Sequence, residues 1–291
     1  MLKSTTKAFA ISAFAIALVF SAVPSQAGIF DFLKSDSAKQ KDQALSPDLG
    51  KSDDQMVAST YNAGLDAMSK GNYTSAAKKF AEVESKFPYS KWATKAILMQ
   101  AFANYQNNKY SDAIDACNRF IQLHPGHENI DYAFYMVALS QYEQINDVSR
   151  DQKPTQDALD ALEEVQRRFP GSRYAADAAQ KALLARDHLA GKEMDVGRYY
   201  YKHGDWLAGI NRFKTVITTY QQTSQAPEAL YRLTEGYMAL GIRSEAQTAA
   251  AVLGQNFPRS TWYKNAYQLV STDGHPPTAS AGSWIGKAFG L

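Results

Sequence analysis

From about residue 53 to residue 270, apolar positions recur with the 3.6-residue period of amphipathic helices, in short runs broken by stops. Three of the stops share one phrase: Phe87-Pro88-Tyr89-Ser90-Lys91-Trp92, Phe169-Pro170-Gly171-Ser172-Arg173-Tyr174 and Phe257-Pro258-Arg259-Ser260-Thr261-Trp262. Proline cannot continue the helix before it. The serine two residues on can accept from the first free N–H groups of the next helix. Helix, stop, cap and helix in recurrence predict a repeat protein, and no segment reads as a strand.

The runs pair into helical hairpins of the tetratricopeptide kind, about 34 residues per unit. Residues 57–90 fit best: Gly71-Asn72-Tyr73 is the turn, Ala76 and Phe80 face inward from the second helix (B), and Pro88 closes the unit. The second unit lies 37 residues on, with Asn108-Lys109-Tyr110, Ala113 and Pro125 in those places. In the third, a long polar loop, Asn146 to Lys153, separates the first helix (A) from Pro154, Ala158, Leu162 and Pro170. Ser172 to His203 reads as one long helix, or two bent at Gly191. Gly204-Asp205-Trp206 and Phe213 follow, but the closing proline of unit four is missing and Ala226-Pro227 ends a longer loop. Unit five has Leu230, Leu233, Tyr237, Gly241, Ala246, Ala250 and Pro258, and a helix from Ser260 to about Val270 caps the stack. The expected fold is all-α: a solenoid of about five hairpins, with repeats one to three in 53–171 and repeats four and five plus the cap in 172–270. The polar flanks 28–52 and 271–291 are expected to be disordered, each with an apolar island, Ile29 to Leu33 and Trp284 to Phe289.

The N-terminus changes the picture of location. Lys3 and Lys7 precede an apolar stretch, Ala8 to Phe20, followed by Pro24 and small residues at Ser25 and Ala27. This reads as an export signal over 1–27, cleaved between Ala27 and Gly28. The chain's 31 basic and 29 acidic residues then become equal, because only Lys3 and Lys7 are lost. A neutral mature chain gives no electrostatic footprint for nucleic acid or for anionic lipid. The single cysteine, Cys117, excludes an internal disulfide and falls where helix B of unit two requires a small apolar residue, so a buried, inert thiol is expected.

Candidate chemistry is sparse. His124 and His127 flank Pro125-Gly126, which breaks the helix that would align them, and no second ligand pair completes a metal set. There is no Gly-x-Ser-x-Gly elbow and no phosphate loop. Glu163 and Glu164 beside Arg167 and Arg168 read as a salt-bridged surface. The sequence therefore predicts no catalytic residue, metal or cofactor. What remains is a surface. Tyr61, Leu65, Leu98, Phe102, Tyr105, Tyr132, Tyr135 and Tyr142 lie on the inward side of the first three A helices. They are inter-repeat core, or they floor a groove for an extended peptide, in which case at least Phe102 and Tyr135 are reached by solvent.

Phe87-Pro88-Tyr89-Ser90, the loop from Tyr142-Glu143-Gln144-Ile145 through Arg150-Asp151-Gln152, and Arg186 to Met194 leading into Gly197-Arg198-Tyr199-Tyr200 together resemble the BamD family of the bacterial β-barrel assembly machinery, over residues 53–270. The resemblance implies a non-catalytic periplasmic scaffold at the inner face of the outer membrane. Its C-terminal repeats would dock a POTRA domain of the BamA barrel, its N-terminal repeats would receive unfolded outer-membrane β-barrel proteins, and other assembly-machinery lipoproteins would be further partners. By position, Asn211 and Arg212 match the family's BamA dock. Many members carry a lipobox cysteine at the cleavage site. Here that region reads Val23-Pro24-Ser25-Gln26-Ala27-Gly28, so lipid anchoring is not expected and attachment through the complex is. Another periplasmic repeat adaptor, such as the Tol-Pal-associated cell-division coordinator, is the alternative, although residues 28–52 lack that family's heptads.

Overall fold

The computed structural model describes residues 51–271, 276–280 and 282–290. The expected export signal and the stretch 28–50 lie outside them. Within the compact unit that holds the described residues, twelve helices follow one another: α1 (Lys51–Ser69), α2 (Tyr73–Lys86), α3 (Lys91–Gln106), α4 (Tyr110–Leu123), α5 (Ile130–Tyr142), α6 (Lys153–Arg168), α7 (Ala175–Lys202), α8 (Trp206–Thr219), α9 (Ala226–Ala239), α10 (Arg243–Asn256), α11 (Thr261–Val270) and α12 (Trp284–Ala288). The first ten are the A and B helices of five antiparallel hairpins, each packed on the next, so the all-α repeat fold holds. Successive A helices α1, α3, α5 and α7 also touch one another, while the B helices are held further apart. That asymmetry puts the A helices on the tighter, inner side of the stack.

The short turn in four of the five hairpins takes a left-handed residue, where a Cβ is penalised, whereas unit three spans its hairpin with the longer loop 143–152. Gly71, Gly204 and Gly241 supply it with φ of +72°, +80° and +75°, and Asn108 supplies it in unit two with φ +56°. Asn72 and Asp205 then cap the B helices, accepting from Ser75 N–H at 3.0 Å and Ala208 N–H at 3.1 Å.

The recurring phrase has a backbone reason. Phe87, Phe169 and Phe257 each close the last helical turn, and the serine N–H three residues on donates back to the phenylalanine carbonyl at 3.0, 2.9 and 3.0 Å. Proline sits at the second position of this turn, where its fixed φ is already correct. The same turn closes unit two, His127 N–H to His124 O at 3.1 Å, and unit four, Thr223 N–H to Tyr220 O at 3.0 Å, where no proline is present. Ser90 and Ser260 cap α3 and α11 as expected, bonding Ala93 N–H and Trp262 N–H. Ser172 differs: it accepts from Tyr174 N–H, donates to Asp131 Oδ2 at 2.6 Å, and α7 begins only at Ala175.

Between helices A and B, glycines admit aromatic rings. An added Cβ on Gly64 would lie 2.7 Å from Phe80, and one on Gly197 2.5 Å from Phe213. The two pairs are 133 residues apart and are the same contact in units one and four. Tyr61 packs edge-on to Phe80 and tilts against Trp92, tying unit one to unit two. The ambiguity at Gly191 resolves as one continuous 28-residue helix.

Two expectations about the flanks are corrected. Helix α1 starts at Lys51, two residues before the expected boundary, and carries Asp53 and Asp54 in its first turn, where the helix dipole favours them. The expected disorder of 271–291 does not hold for the described part. Trp284–Ala288 is helical against α8 and α10, with Ile285 fully buried in the core of units four and five, so burial of that apolar island orders it.

Candidate functional site

The inner face carries the eight residues singled out for a peptide groove. Tyr61, Leu98, Tyr105 and Tyr132 are buried, and Leu65 and Tyr142 are half-buried. The exposure of Phe102 and Tyr135 that the groove reading requires is not found: they are 5% and 6% exposed, as the inter-repeat-core reading has them. The reason is the direct contact of successive A helices, which closes over side chains aimed between them.

What these side chains present is a hydrogen-bonded network rather than bare rings. Tyr105, from α3, donates through its hydroxyl to Glu143 Oε1 at 3.1 Å, just beyond α5. Tyr135, from α5, donates to Asp177 Oδ2 on α7 at 2.5 Å and stacks on Tyr174 with ring centroids 4.8 Å apart. Lys181 pairs with the other Asp177 oxygen at 2.9 Å and lies 5.8 Å from the Tyr142 ring. Burial, followed by the facing carboxylates, pushes the Tyr105 and Tyr135 hydroxyls well above the ordinary tyrosine range. They stay protonated donors at any physiological pH, which suits fixed recognition geometry and not proton transfer. Tyr132 is fully buried with no partner for its hydroxyl.

The candidate docking pair lies on α8. Asn211 and Arg212 are both exposed, and Arg212 Nη1 reaches Glu193 Oε2 on α7 at 3.3 Å. The guanidinium thus has a tie across helices, leaving most of its five donors to solvent.

Two of the stretches that carry the family resemblance meet in space. Lys192 donates to Ser149 O at 2.9 Å, Gln152 Oε1 lies 3.4 Å from His188 Nδ1, and Val148 covers Gly191. The loop of unit three is therefore fastened onto the middle of α7. From the next junction, Ser224 donates to Asp187 Oδ1 through both N–H (2.8 Å) and hydroxyl (2.7 Å). The acidic and basic group on α6 is partly reassigned: Glu164 does bind Arg167 and Arg168, but Glu163 pairs with Arg186 of α7 at 2.7 Å.

His124 and His127 pack around Phe120, with ring centroids 5.4 and 5.2 Å from it. Among the described residues no group of three or more His, Cys, Asp or Glu is placed to hold a metal ion, and no helix is long and apolar enough to cross a membrane. Cys117 is fully buried, and burial pushes its thiol up to about 12.

The family described as YfiO, outer membrane lipoprotein, matches residues 53–268. The chain is 46% identical over 225 residues to the outer membrane protein assembly factor BamD of Caulobacter vibrioides, covering 77% of this chain and 74% of that protein. It is 44% identical over 214 residues to BamD of Rickettsia prowazekii, covering 74% and 85%. The chain belongs to the BamD family of outer membrane protein assembly factors. Within this BamD-family chain, the matched segment takes in all ten hairpin helices from Asp53 on and most of α11, and stops short of α12. Among solved structures it is similar to TTC0263, a thermophilic TPR protein of Thermus thermophilus (16% identical, 74% of this chain and 98% of that one, TM-score 0.34). It is also similar to the TPR2AB domain of yeast Sti1 (12% identical, 75% and 83%, TM-score 0.41). The chain's own helical pairing, not these likenesses, establishes the repeat fold.

Proposed function

We propose that this protein is a non-catalytic scaffold for inserting β-barrel proteins into the outer membrane, working at the periplasmic face. The observation that carries this reading is the 46% identity to an outer membrane protein assembly factor across most of both chains. Units four and five would dock the POTRA region of a BamA partner through the exposed Asn211 and Arg212. Units one to three would receive unfolded barrel clients along the inner face. Because the aromatic rings there are mostly buried, a client would be read by the half-buried Leu65 and Tyr142 and by the exposed Glu143 that accepts from Tyr105. Attachment to the membrane would come through the complex, since the one cysteine of this sequence is buried in α4.

Arg212→Glu tests the dock. The side chain is exposed, so helicity should be retained and loss of the Glu193 pair should cost no more than about 1 kcal/mol, while co-purification with the BamA partner falls. Undiminished recovery refutes the assignment of Arg212. Release of the protein from membranes by urea is expected, and resistance matching that of an integral protein contradicts attachment through the complex.

A further inference from the structure

Helix α12 has five residues, too few to persist in water without support. Its support is the outward gap between the B helices α8 and α10. Ile285 fills the floor, fully buried with Ile210, Ile217, Ala249 and Leu253 in one core. The Trp284 indole N–H donates to Tyr237 Oη at 3.0 Å, from a tyrosine that is itself 8% exposed. The Lys214 ammonium sits 4.9 Å from the centre of the Trp284 ring, a cation over a π face. Ser283 donates to Glu245 Oε2 at 2.7 Å while accepting from Ile285 N–H, and Ser280 N–H donates to Thr248 Oγ1 at 2.9 Å. Every wall thus aims a polar group at the segment: Lys214 from α8, Tyr237 from α9, Glu245 and Thr248 from α10. The walls lie inside the family-matched residues and the occupant lies outside them.

We propose that the gap between α8 and α10 is a docking groove for a short helical turn with a hydroxyl residue, a tryptophan and an aliphatic residue in succession. The chain's own Ser283-Trp284-Ile285 fills it at rest, and a partner polypeptide presenting the same chemistry takes its place. The occupant reveals the groove's specificity: an acceptor for an indole N–H, a cation above the ring, a carboxylate for the hydroxyl and one deep aliphatic slot. The occupant is also exchangeable on physical grounds. It rests on one fully buried apolar side chain, the buried Ser283 held by Glu245, a half-buried indole and a half-buried Phe289, against the entropy of ordering the backbone that carries them. Such a segment belongs to the low-stability end of a structure and opens without global unfolding. Its covalent tether gives it a high effective concentration, so a free competitor must be concentrated or held nearby. Neither Arg212 nor the inner face takes part in this groove.

The test uses the full-length chain carrying Trp284→Ala and Ile285→Asp, which empties the groove, and a fluorescent peptide of residues 279–291 read by anisotropy. The peptide should bind this variant saturably and the unaltered chain on the order of a hundred-fold more weakly. Tyr237→Phe in the emptied background should weaken binding by roughly five- to ten-fold, through loss of the indole acceptor. Equal binding to both proteins, or none to an emptied variant of native helicity, overturns the proposal. If the emptied variant does not fold, hydrogen exchange on the unaltered chain decides. Exchange of the Ile285 and Phe289 amides well ahead of those in α10 supports it, and exchange only with α10 overturns it. A dimer of the unaltered chain that dissolves with Ile285→Asp would mean exchange between two copies, and also overturns it.

Discussion

Gly191 and Gly197 stand six residues apart on the same helix, and replacing each by alanine should move stability in opposite directions. In a helix interior glycine costs about 0.5–1 kcal/mol relative to alanine, through the backbone entropy it loses on folding. At Gly191 the new methyl would meet Val148 at 3.7 and 3.8 Å, ordinary van der Waals contact, so the gain is kept. At Gly197 it would lie 2.5 and 2.6 Å from Cε1 and Cζ of Phe213. Carbon atoms prefer about 3.5–4.0 Å, so the ring must retreat by roughly 1 Å. It has nowhere to go: Phe213 is fully buried and meets Tyr201 edge-on with centroids 5.0 Å apart. Overpacking of this kind costs about 1–3 kcal/mol, which outweighs the propensity gain. We expect Gly191→Ala to raise the thermal midpoint by roughly 1–4 °C and Gly197→Ala to lower it by a similar amount or more, using about 2–4 °C per kcal/mol for a chain of this size. Circular dichroism melts of the two variants, side by side, are the measurement. Adding Phe213→Leu to Gly197→Ala should return part of the loss, with a coupling of about 0.5–3 kcal/mol. A Gly197→Ala protein as stable as the Gly191→Ala one would refute the close approach of ring and backbone. It would also undo the equivalence drawn with Gly64 and Phe80.

Three further outcomes are expected. Asp187→Ala removes the acceptor of both Ser224 bonds and should speed amide exchange at Ser224 while costing about 0.5–1.5 kcal/mol, since both bonds are exposed; unchanged exchange would mean the loop is held elsewhere. Cys117, buried and with its thiol pushed up to about 12, should resist disulfide-exchange reagents at pH about 8 until the chain is unfolded; rapid labelling of the native protein would contradict its burial. Burial, with the neighbouring His124 and Lys95 charges, lowers the His127 pKa below 6.5 despite Glu128. The unfolded chain therefore binds the proton more readily. The stability from neutral His127 is full above about pH 6.5 and is lost as pH falls toward the folded value. His127→Gln should flatten the fall in urea midpoint between neutral pH and pH about 5, and an unaltered slope would assign that fall to other groups.

The repeat architecture is legible in the sequence because its turns depend on single residues. Left-handed positions at Gly71, Gly204 and Gly241, and the proline-containing closing turns, leave marks that no packing detail can hide. Where a mark is dispensable the reading fails. Unit four reads as open-ended because it lacks proline, yet Tyr220 and Thr223 make the same backbone turn, helped by the Thr223 hydroxyl donating to Tyr220 O at 2.7 Å. Periodicity tells which side of a helix a residue occupies and says nothing about what lies over it. Phe102 and Tyr135 do lie on the inward side, and only the contact between successive A helices decides that they are covered. Ser283 to Phe289 is shorter than two helical turns, below the length at which a period can be recognised, so its order comes entirely from the groove that receives it. Glu163 groups by pattern with its sequence neighbours on α6, whereas its partner Arg186 lies 23 residues on, on the next helix.

The long helix α7 explains why the two family-specific stretches touch. Its 28 residues span about 42 Å, while α6, with 16 residues, and α8, with 14, cover about 24 and 21 Å. Neither neighbour can shield it alone. The Glu163–Arg186 pair marks the part of α7 that α6 covers, and the Gly197–Phe213 contact and the Glu193–Arg212 pair mark the part that α8 covers. Between them lie Asp187, His188, Gly191 and Lys192, and these residues hold the loops 146–152 and 220–225. The loops are thus the cover for the stretch where one repeat hands over to the next, and Asp187, His188 and Lys192 fasten them to it from the α7 side.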